Sequence, residues 1–229
     1  MIQDPSFTKD LFEFLTELRR NNNREWFQAN KRRYEERVQE PALEFISDFA
    51  PLLDEISPHF RADPRPSGGS LFRIYRDVRF SKDKSPYKTQ TGIHFRHLLA
   101  KDAHAPGYYL HLEPGGSFAG VGIWHPDSAT LGKIRTAIAA DPDEWLSATR
   151  RPPFAAVFEL GGDSLKRAPS GYDPDHPLID DLKRKDFVGY SMLDEKTVTG
   201  DGLLDEYARI CRSATPFVAF LCRAVGAPF

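Results

Sequence analysis

The sequence lacks most of the features that assign a protein to a function class directly. It has only two cysteines in 229 residues, and their spacing matches neither a disulfide framework nor a Cys-x-x-Cys metal or redox pair. No segment approaches about 18 uninterrupted apolar residues, and the first residues contain no basic leader followed by an apolar run. We therefore predict buried free thiols at Cys211 and Cys222, no membrane partner and a cytoplasmic location.

An excess of charge of one sign is also missing. The chain has 31 Lys and Arg against 33 Asp and Glu, a formal net charge of -2, so it lacks the global basicity of an obvious nucleic-acid binder. The sequence contains no phosphate-binding P-loop, dinucleotide-binding glycine motif or Gly-x-Ser-x-Gly nucleophile motif. Any basic site must be local, and the sequence identifies no cofactor.

The hydrophobic periods that are present predict one α+β domain over residues 1–229. Residues 6–60 have helical spacing, with Thr8 as a candidate N-cap and Asn22 with Glu25 as a capping box for the next helix. From Leu71 the period changes to two, which is typical of strands with one buried face. We predict an antiparallel, mostly meandering sheet at about 71–124, packed on N-terminal and C-terminal helices. Further strands are predicted near 154–160 and 187–193, with helices elsewhere in 128–229.

Alternation divides the first two predicted strands into an apolar face and a polar face. The apolar set of the first strand is Phe72, Ile74, Val78 and Phe80. Arg76 falls on the same face, so we expect either a bulge that redirects it or a buried acid that pairs with it. In the next strand Ile93 and Phe95 are apolar, whereas His94 and Arg96 lie on the polar face.

The clearest hairpin is in the sequence YYLHLEPGGSFAGVGIW. If residues 114–117 form its loop, Tyr109 lies opposite Gly122 and His111 lies opposite Gly120. Glycines weaken a strand, so the two on the polar face suggest close approach by a bulky group. The apolar face of this hairpin would contain Tyr108, Leu110, Leu112, Ala119, Val121 and Ile123.

Three stretches of the chain resemble a known family. They are FRIYRDVRFSKDKSPYKTQTG, NNNREWFQANKRRYEE and YYLHLEPGGSFAGVGIWHP, and they resemble the proteins catalogued as domain of unknown function 2461. The similarity extends nearly end to end, and the RDVRFSKDKSPYK block is specific. The resemblance implies membership of an uncharacterised family, and it transfers no catalytic residue or cofactor to this chain.

The stretch from Phe72 to His97 is strongly basic, with seven Lys and Arg against two Asp. Arginines hold anions through directed donors, and aromatic rings can flank a flat group. We predict that a small anionic or phosphorylated ligand binds on the polar sheet face, with His111 and Glu113 as an acid–base pair for catalysis. The predicted ligand-binding residues are Arg73, Tyr75, Arg76, Arg79, Lys82, Lys84, Lys88, His94, Arg96, Tyr109, Gly120 and Gly122.

Other interpretations of the same residues stay open. A polar sheet face and a basic turn at 81–88 are also typical of a solvated surface whose charges pair with nearby acids. Nucleic acid could bind through the lysines of this turn, with Tyr87 stacked on a base. A protein-interaction domain without catalysis predicts an exposed apolar patch near Phe118 and Trp124.

The histidines allow a further hypothesis about metal binding. His111, Glu113 and His94 contain the ligand types of a two-histidine, one-carboxylate metal site. The arginines of the first strand disfavour a cation beside them, so we predict no metal there, and His125 beyond the hairpin gives no stronger site. His97 falls on the apolar face, which predicts a structural histidine.

Overall fold

The computed structural model describes residues 5–99 and 105–229, and these follow the two hydrophobic periods of the sequence. The helices are α1 (Lys9–Arg20), α2 (Arg24–Ala29), α3 (Lys31–Tyr34), α4 (Glu40–Ile56), α5 (Ser128–Ala140), α6 (Pro142–Arg150), α7 (Ile179–Leu182), α8 (Glu195–Val198), α9 (Leu203–Ser213) and α10 (Thr215–Val225). The strands are β1 (Phe60–Arg61), β2 (Thr91–His97), β3 (Gly107–Leu112), β4 (Phe118–Ile123), β5 (Glu159–Gly161) and β6 (Phe187–Met192). A π-helical segment, Glu35–Gln39, joins α3 to α4.

The strands form one antiparallel sheet in the order β1-β2-β3-β4-β6-β5. The first four are neighbours in chain order, which confirms the mostly meandering arrangement, and only β5 and β6 exchange places. Helix α4 contacts β1, whereas α9 and α10 contact β4. The N-terminal and C-terminal helices therefore both pack on the sheet, and the α+β class is confirmed.

The hydrophobic core lies between the sheet and these helices. All six residues predicted for the apolar face of the hairpin are buried, as are Ile93 and Phe95 of β2. The Phe95 ring packs against Phe49 of α4 and Tyr207 of α9, with ring centroids 4.8 and 6.0 Å apart. Alternation along β2, β3 and β4 thus assigned both faces of the central sheet correctly.

The predicted register of the hairpin is wrong by two residues. His111 pairs with Phe118, and Tyr109 pairs with Gly120. The loop contains five residues because Ser117 closes it, with Oγ accepting from the Glu113 backbone N–H and donating to the Glu113 carbonyl, both at 3.1 Å. A shift of two residues keeps every side chain on its predicted face, since the period of a strand is two.

The prediction of a regular strand at 71–80 is wrong. In the structure as described, this segment forms only isolated bridges, from Leu71 to Ile93 and from Tyr75 to Tyr87. Its start bonds to β2, where the Phe72 N–H donates to the Gly92 carbonyl at 2.9 Å. Beyond this point the chain folds back and bonds to its own residues 86–88. Phe80, which was predicted on the apolar face, is 96% exposed at this turn.

Local predictions elsewhere are partly confirmed. Asn23 rather than Asn22 caps α2, with its Oδ1 accepting from the Trp26 backbone N–H at 2.9 Å. Within the predicted strand 154–160, residues Phe154–Ala156 form a 3-10 turn and only β5 pairs with β6. The strand predicted near 187–193 is present as β6.

The two cysteines are free and buried, as predicted. Burial raises the pKa of the Cys222 thiol to about 12, so this sulfur is a poor nucleophile near neutral pH. Across residues 5–99 and 105–229, no helix has the length and apolar character needed to cross a bilayer.

Candidate functional site

Three alternate residues of β3 and its following turn form a hydrogen-bonded chain on the polar face. Tyr109 Oη lies 3.0 Å from His111 Nδ1, and His111 Nε2 lies 3.1 Å from Glu113 Oε2. Arg19 of α1 donates to Glu113 Oε1 at 2.7 Å and completes the chain. We call these four residues the polar chain. The structure thus brings together both predicted catalytic residues and one predicted ligand-binding residue.

The partners of His111 determine where its proton lies. An ionised carboxylate only accepts hydrogen bonds, so His111 Nε2 carries the proton that is donated to Glu113. In the neutral ring Nδ1 is then an acceptor, and the Tyr109 hydroxyl donates to it. Phe118 stacks on the imidazole with centroids 4.6 Å apart and an interplanar angle of 14°. Two hydrogen bonds and one stacking contact therefore fix the ring.

Tyr109 is largely enclosed by its neighbours. Burial, with a smaller contribution from the Glu113 charge, raises the pKa of Tyr109 to about 12, so its hydroxyl is protonated near neutral pH. The hydroxyl passes close over Gly92, where a Cβ atom would lie only 2.5 Å from Oη. A glycine at position 92 is therefore needed for Tyr109 to reach His111 without displacement.

Aromatic rings surround the polar chain on this side of the sheet. Phe72 and Phe118 pack against Tyr109 with centroids 6.0 and 5.9 Å away, and Tyr190 lies 5.3 Å from Phe118. We call Phe72, Tyr109, Phe118 and Tyr190 the aromatic face. Gly120 pairs with both tyrosines, and a Cβ atom there would make ordinary contacts of 3.4–3.5 Å with the flanking rings. The Phe118 and Tyr109 rings therefore pack over the backbone of Gly120.

Gly122 has a separate explanation in the backbone. Its φ of +108° is a conformation that residues with a side chain rarely adopt. A Cβ atom at this position would lie 2.0 Å from the Phe187 carbonyl oxygen of the neighbouring strand. The bulky group that approaches Gly122 is therefore the backbone of β6.

Lys88 and Arg73 form no ion pair among the described residues, and Lys88 lies beside the aromatic face. Lys88 Nζ lies 5.3 Å from the centroid of the Phe72 ring. Burial, and secondly the charge of Arg73, lower the pKa of Lys88, so the two positive groups are close enough to interact. Unpaired neighbouring cations on an apolar ring form a place where an anion would be favoured.

Asn22 fixes the segment that carries Lys88 to the N-terminal helices. Its Nδ2 donates to the Tyr87 carbonyl at 2.9 Å, and its Oδ1 accepts from the Tyr87 N–H at 3.1 Å, as a neighbouring strand would. The Tyr87 ring is 2% exposed and stacks on Phe27 of α2 at 4.0 Å. The prediction that Tyr87 stacks on a base is therefore wrong.

Most cations of the turn at 77–85 bond within it. Arg79 donates from Nε and Nη2 to both oxygens of Asp77, and this contact lowers the pKa of Asp77 to about 2. Lys84 Nζ donates to the Val78 carbonyl at 2.9 Å. Lys82 is exposed and has no partner in the described part of the chain. The turn therefore presents less free positive charge than its sequence suggests.

Both explanations predicted for Arg76 are wrong. Arg76 pairs with Asp83 across the turn and also donates to the Ser85 carbonyl at 3.3 Å. The Asp83 side chain is 60% exposed, so the partner is not a buried acid. No sheet bulge is involved either, because residues 71–80 form no regular strand.

Of the other predicted ligand-binding residues, Tyr75 and Arg96 lie away from the polar chain, whereas His94 pairs with Tyr109 across the strands and its ring lies 6.3 Å from that of Tyr109. Tyr75 is 48% exposed and packs its ring against Tyr87, on the side of α2. His94 lies beneath Phe72 at 7% exposure, and burial lowers its pKa to about 4. Arg96 lies at the far end of β2, where it donates to the Gly69 carbonyl at 3.1 Å.

Two further histidines, His97 and His125, have structural partners. His97 Nδ1 accepts from the Leu99 N–H at 3.1 Å, so its Nε2 donates to the Pro228 carbonyl at 2.8 Å, which confirms the structural prediction. His125, with a φ of 50°, places Nδ1 2.9 Å from the buried carboxylate of Asp186. No group of three or more His, Cys, Asp or Glu side chains in residues 5–99 and 105–229 is arranged to hold a metal ion.

The sequence did not predict that Arg19 and Asn22 belong to this site, and it predicted Phe72 on the wrong face of the sheet. Phe72 was assigned to the apolar face, but its ring packs on His94 and Tyr109 of the polar face. Arg19 is 94 positions from Glu113 and Asn22 is 65 positions from Tyr87, so no local pattern connects them. Only the packing of the helices on the turn brings these groups together.

The fold and the site define an α+β protein whose six-stranded antiparallel sheet carries a tyrosine, histidine and glutamate array on the face opposite the core. The chain belongs to the family of conserved hypothetical proteins DUF2461, whose family model matches residues 10–220. This match confirms the resemblance found in the sequence. A search of curated proteins and a search of solved structures gave no match.

Proposed function

We propose that the chain binds a small anionic ligand against the aromatic face and exchanges a proton with it through the polar chain. The observation that carries the proposal is the continuous set of hydrogen bonds from Tyr109 through His111 and Glu113 to Arg19. A histidine held between a hydroxyl and a carboxylate is the arrangement that general acid–base catalysis uses. We further propose a cytoplasmic location, because both cysteines are unpaired thiols.

The chemistry follows from the direction of the hydrogen bonds. His111 can accept a proton at Nδ1 from Tyr109 or from a ligand group that replaces its hydroxyl, while Glu113 stabilises the resulting imidazolium at Nε2. Arg19 keeps the Glu113 carboxylate oriented through its contact with Oε1. In this scheme His111 is the acid–base group and Glu113 positions it.

The ligand class follows from the surroundings of the polar chain. Arg73 and Lys88 would neutralise a carboxylate or phosphate, and the rings of the aromatic face would stack on a flat apolar group. Nucleic acid is less well supported, because Arg79 and Lys84 bond within the turn and Tyr87 is buried. A compact molecule with one anionic group and one flat group fits these features best.

A thermal-shift screen of the purified chain tests this proposal. The library contains aromatic carboxylates, sugar phosphates, nucleotides and short oligonucleotides at matched ionic strength. A ligand at about 100 times its Kd adds about 2.7 kcal/mol of stability. At about 2–4 °C per kcal/mol for a chain of this size, the melting temperature rises by about 5–11 °C.

The variants locate the binding site. We expect Arg73→Gln combined with Lys88→Met to abolish the shift, whereas Lys82→Gln, which removes a charge from the same turn, leaves it unchanged. His111→Asn should retain binding and lose turnover of the ligand. If no compound shifts the wild type, or if the double variant responds like Lys82→Gln, the proposal is wrong. A shift by oligonucleotides alone would favour the nucleic-acid alternative.

A further inference from the structure

Two arginines face each other across the first pair of strands, away from the polar chain. Arg61 of β1 and Arg96 of β2 are direct partners in the antiparallel register, so their side chains project from the same face. Arg96 lies four residues beyond Gly92 on β2, or about 13 Å along the strand at about 3.3 Å per residue. Like charges directly opposite each other destabilise a sheet unless something lies between them.

The nearby acid is already used by a third arginine. Asp63 accepts from Arg65 Nη2 at 2.7 Å and from Arg65 Nε at 2.9 and 3.1 Å. Arg61 forms no ion pair among the described residues, and one Nη of Arg96 is directed to the Gly69 carbonyl. Three guanidinium groups against one carboxylate leave two positive charges uncompensated in this part of the structure.

These arginines line a small pocket. Its volume is about 110 Å³, and it is lined by Arg61, Asp63, Gly68, Ser70, Arg96, His97 and Leu98. A water molecule has a share of about 30 Å³ in the liquid, so the pocket has room for about three or four waters. Sites for drug-sized ligands have volumes of about 300–1,000 Å³. The pocket therefore fits one small ion and excludes a nucleotide.

We propose that this pocket, which we call the arginine pocket, binds a single tetrahedral oxyanion between Arg61 and Arg96. A phosphate or sulfate offers oxygens to both guanidinium groups at once and offsets their mutual repulsion. The anion is either free inorganic phosphate or the phosphate of a small monoester whose remaining part stays outside the pocket. This site is independent of the polar chain and of the ligand proposed for the aromatic face.

The test is isothermal titration calorimetry of the full chain with inorganic phosphate, sulfate and glycerol phosphate in chloride buffer of matched ionic strength. We expect saturable binding of one anion, weakened about ten-fold or more by Arg61→Gln, since a hydrogen bond to a charged group contributes about 1.5–3 kcal/mol. Arg61→Gln is the clean variant because the Arg61 side chain forms no hydrogen bond in the described structure and acts on Asp63 only through its charge, whereas Arg96 also bonds Gly69. A preference for glycerol phosphate over phosphate would identify a monoester as the source.

Two matched variants separate this pocket from the aromatic face. Arg73→Gln with Lys88→Met should retain phosphate binding, and so should Lys82→Gln. The melting temperature gives a second test. Without oxyanion at low ionic strength, Arg61→Gln should melt no lower than the wild type, because the substitution removes the repulsion between Arg61 and Arg96. Binding that survives Arg61→Gln, or that only the Arg73 and Lys88 variant abolishes, overturns the proposal, as does the absence of saturable binding.

Discussion

At the scale of single residues, Gly92 and Gly120 of the polar face differ in the space that is left for a side chain. A Cβ atom at Gly92 would lie 2.5 Å from Tyr109 Oη, whereas one at Gly120 would make ordinary contacts of 3.4 Å or more. Gly92→Ala should therefore move the Tyr109 hydroxyl away from His111, and Gly120→Ala should not. Gly120→Ala should even stabilise the strand, by about 0.5–1 kcal/mol.

The ionisation of Tyr109 distinguishes Gly92→Ala from Gly120→Ala. Near-ultraviolet absorbance during a titration to high pH reports ionisation of the tyrosines, and Tyr109→Phe identifies the signal that belongs to this residue. Gly92→Ala should alter that signal, while Gly120→Ala should leave it as in the wild type. Equal effects of the two alanines would contradict the role assigned to Gly92.

His94 makes the stability of the protein depend on pH. Burial lowers its pKa from 6.5 to about 4, and its Nδ1 has no hydrogen-bond partner. Between these values the unfolded chain binds a proton that the folded chain excludes, so stability falls as pH decreases from about 6.5 to about 4. The difference of about 2.5 units corresponds to about 3 kcal/mol.

Urea unfolding at pH 7 and pH 4 measures this contribution. We expect the wild type to lose about 3 kcal/mol more than His94→Gln between the two pH values. The comparison uses the change with pH in each protein, so a general cost of burying the Gln amide cancels. Parallel pH profiles for the two proteins would show that His94 is protonated in the folded state.

At the scale of elements, Asn22 connects the N-terminal helices to the segment that carries Lys88. Its two hydrogen bonds to Tyr87 replace those of a neighbouring strand, so Asn22→Ala leaves a buried backbone N–H and carbonyl unpaired. We expect a loss of about 1–3 kcal/mol of stability. The turn should also open more often, since Asn22 anchors one end of it.

Trypsin cleavage after Lys82 and Lys84 detects that opening. Asn22→Ala should be cut faster than the wild type, whereas Asn21→Ala should not, because the Asn21 amide bonds only the Glu17 carbonyl of its own helix. Hydrogen exchange at the Tyr87 and Lys88 amides should accelerate in the same variant. Unchanged cleavage in Asn22→Ala would show that the aromatic stack of Tyr87 on Phe27 holds the turn alone.

The elements also show where sequence reasoning succeeds. Tyr109, His111 and Glu113 alternate along one strand, so their common face follows from the period of two whatever the register. The predicted hairpin register was wrong because the Ser117 side chain bonds to Glu113 and sets the length of the loop. The prediction of a strand at 71–80 was wrong because the same alternation also fits a turn whose arginines form ion pairs with Asp77 and Asp83.

At the scale of the whole molecule, the order of hydrophobic periods was sufficient for the class and most of the architecture. Helical spacing before a period of two placed the helices and the central sheet, and the buried residues form one hydrophobic cluster between them. The residues that other elements contribute to the site could not be predicted from these periods. Arg19 and Glu113 meet across 94 positions of the chain, which is a tertiary contact without a local signal.

The net charge of the molecule was equally uninformative about its sites. A formal charge of -2 is compatible with local concentrations of positive charge, and in the basic segment Arg76 and Arg79 pair with neighbouring acids. The cations that remain unpaired in the described structure are the informative ones. Those that concern the proposed sites lie at the aromatic face and at the arginine pocket.

The polar chain is the central claim, and the imidazole nitrogens of His111 test it most directly. In nitrogen-15 spectra of histidine-labelled protein near pH 7.5, we expect the His111 proton on Nε2 and an accepting Nδ1. Tyr109→Phe should shift the Nδ1 resonance, and Glu113→Gln should shift the Nε2 resonance. A proton on Nδ1, or resonances that neither variant moves, would contradict the polar chain and the function proposed from it.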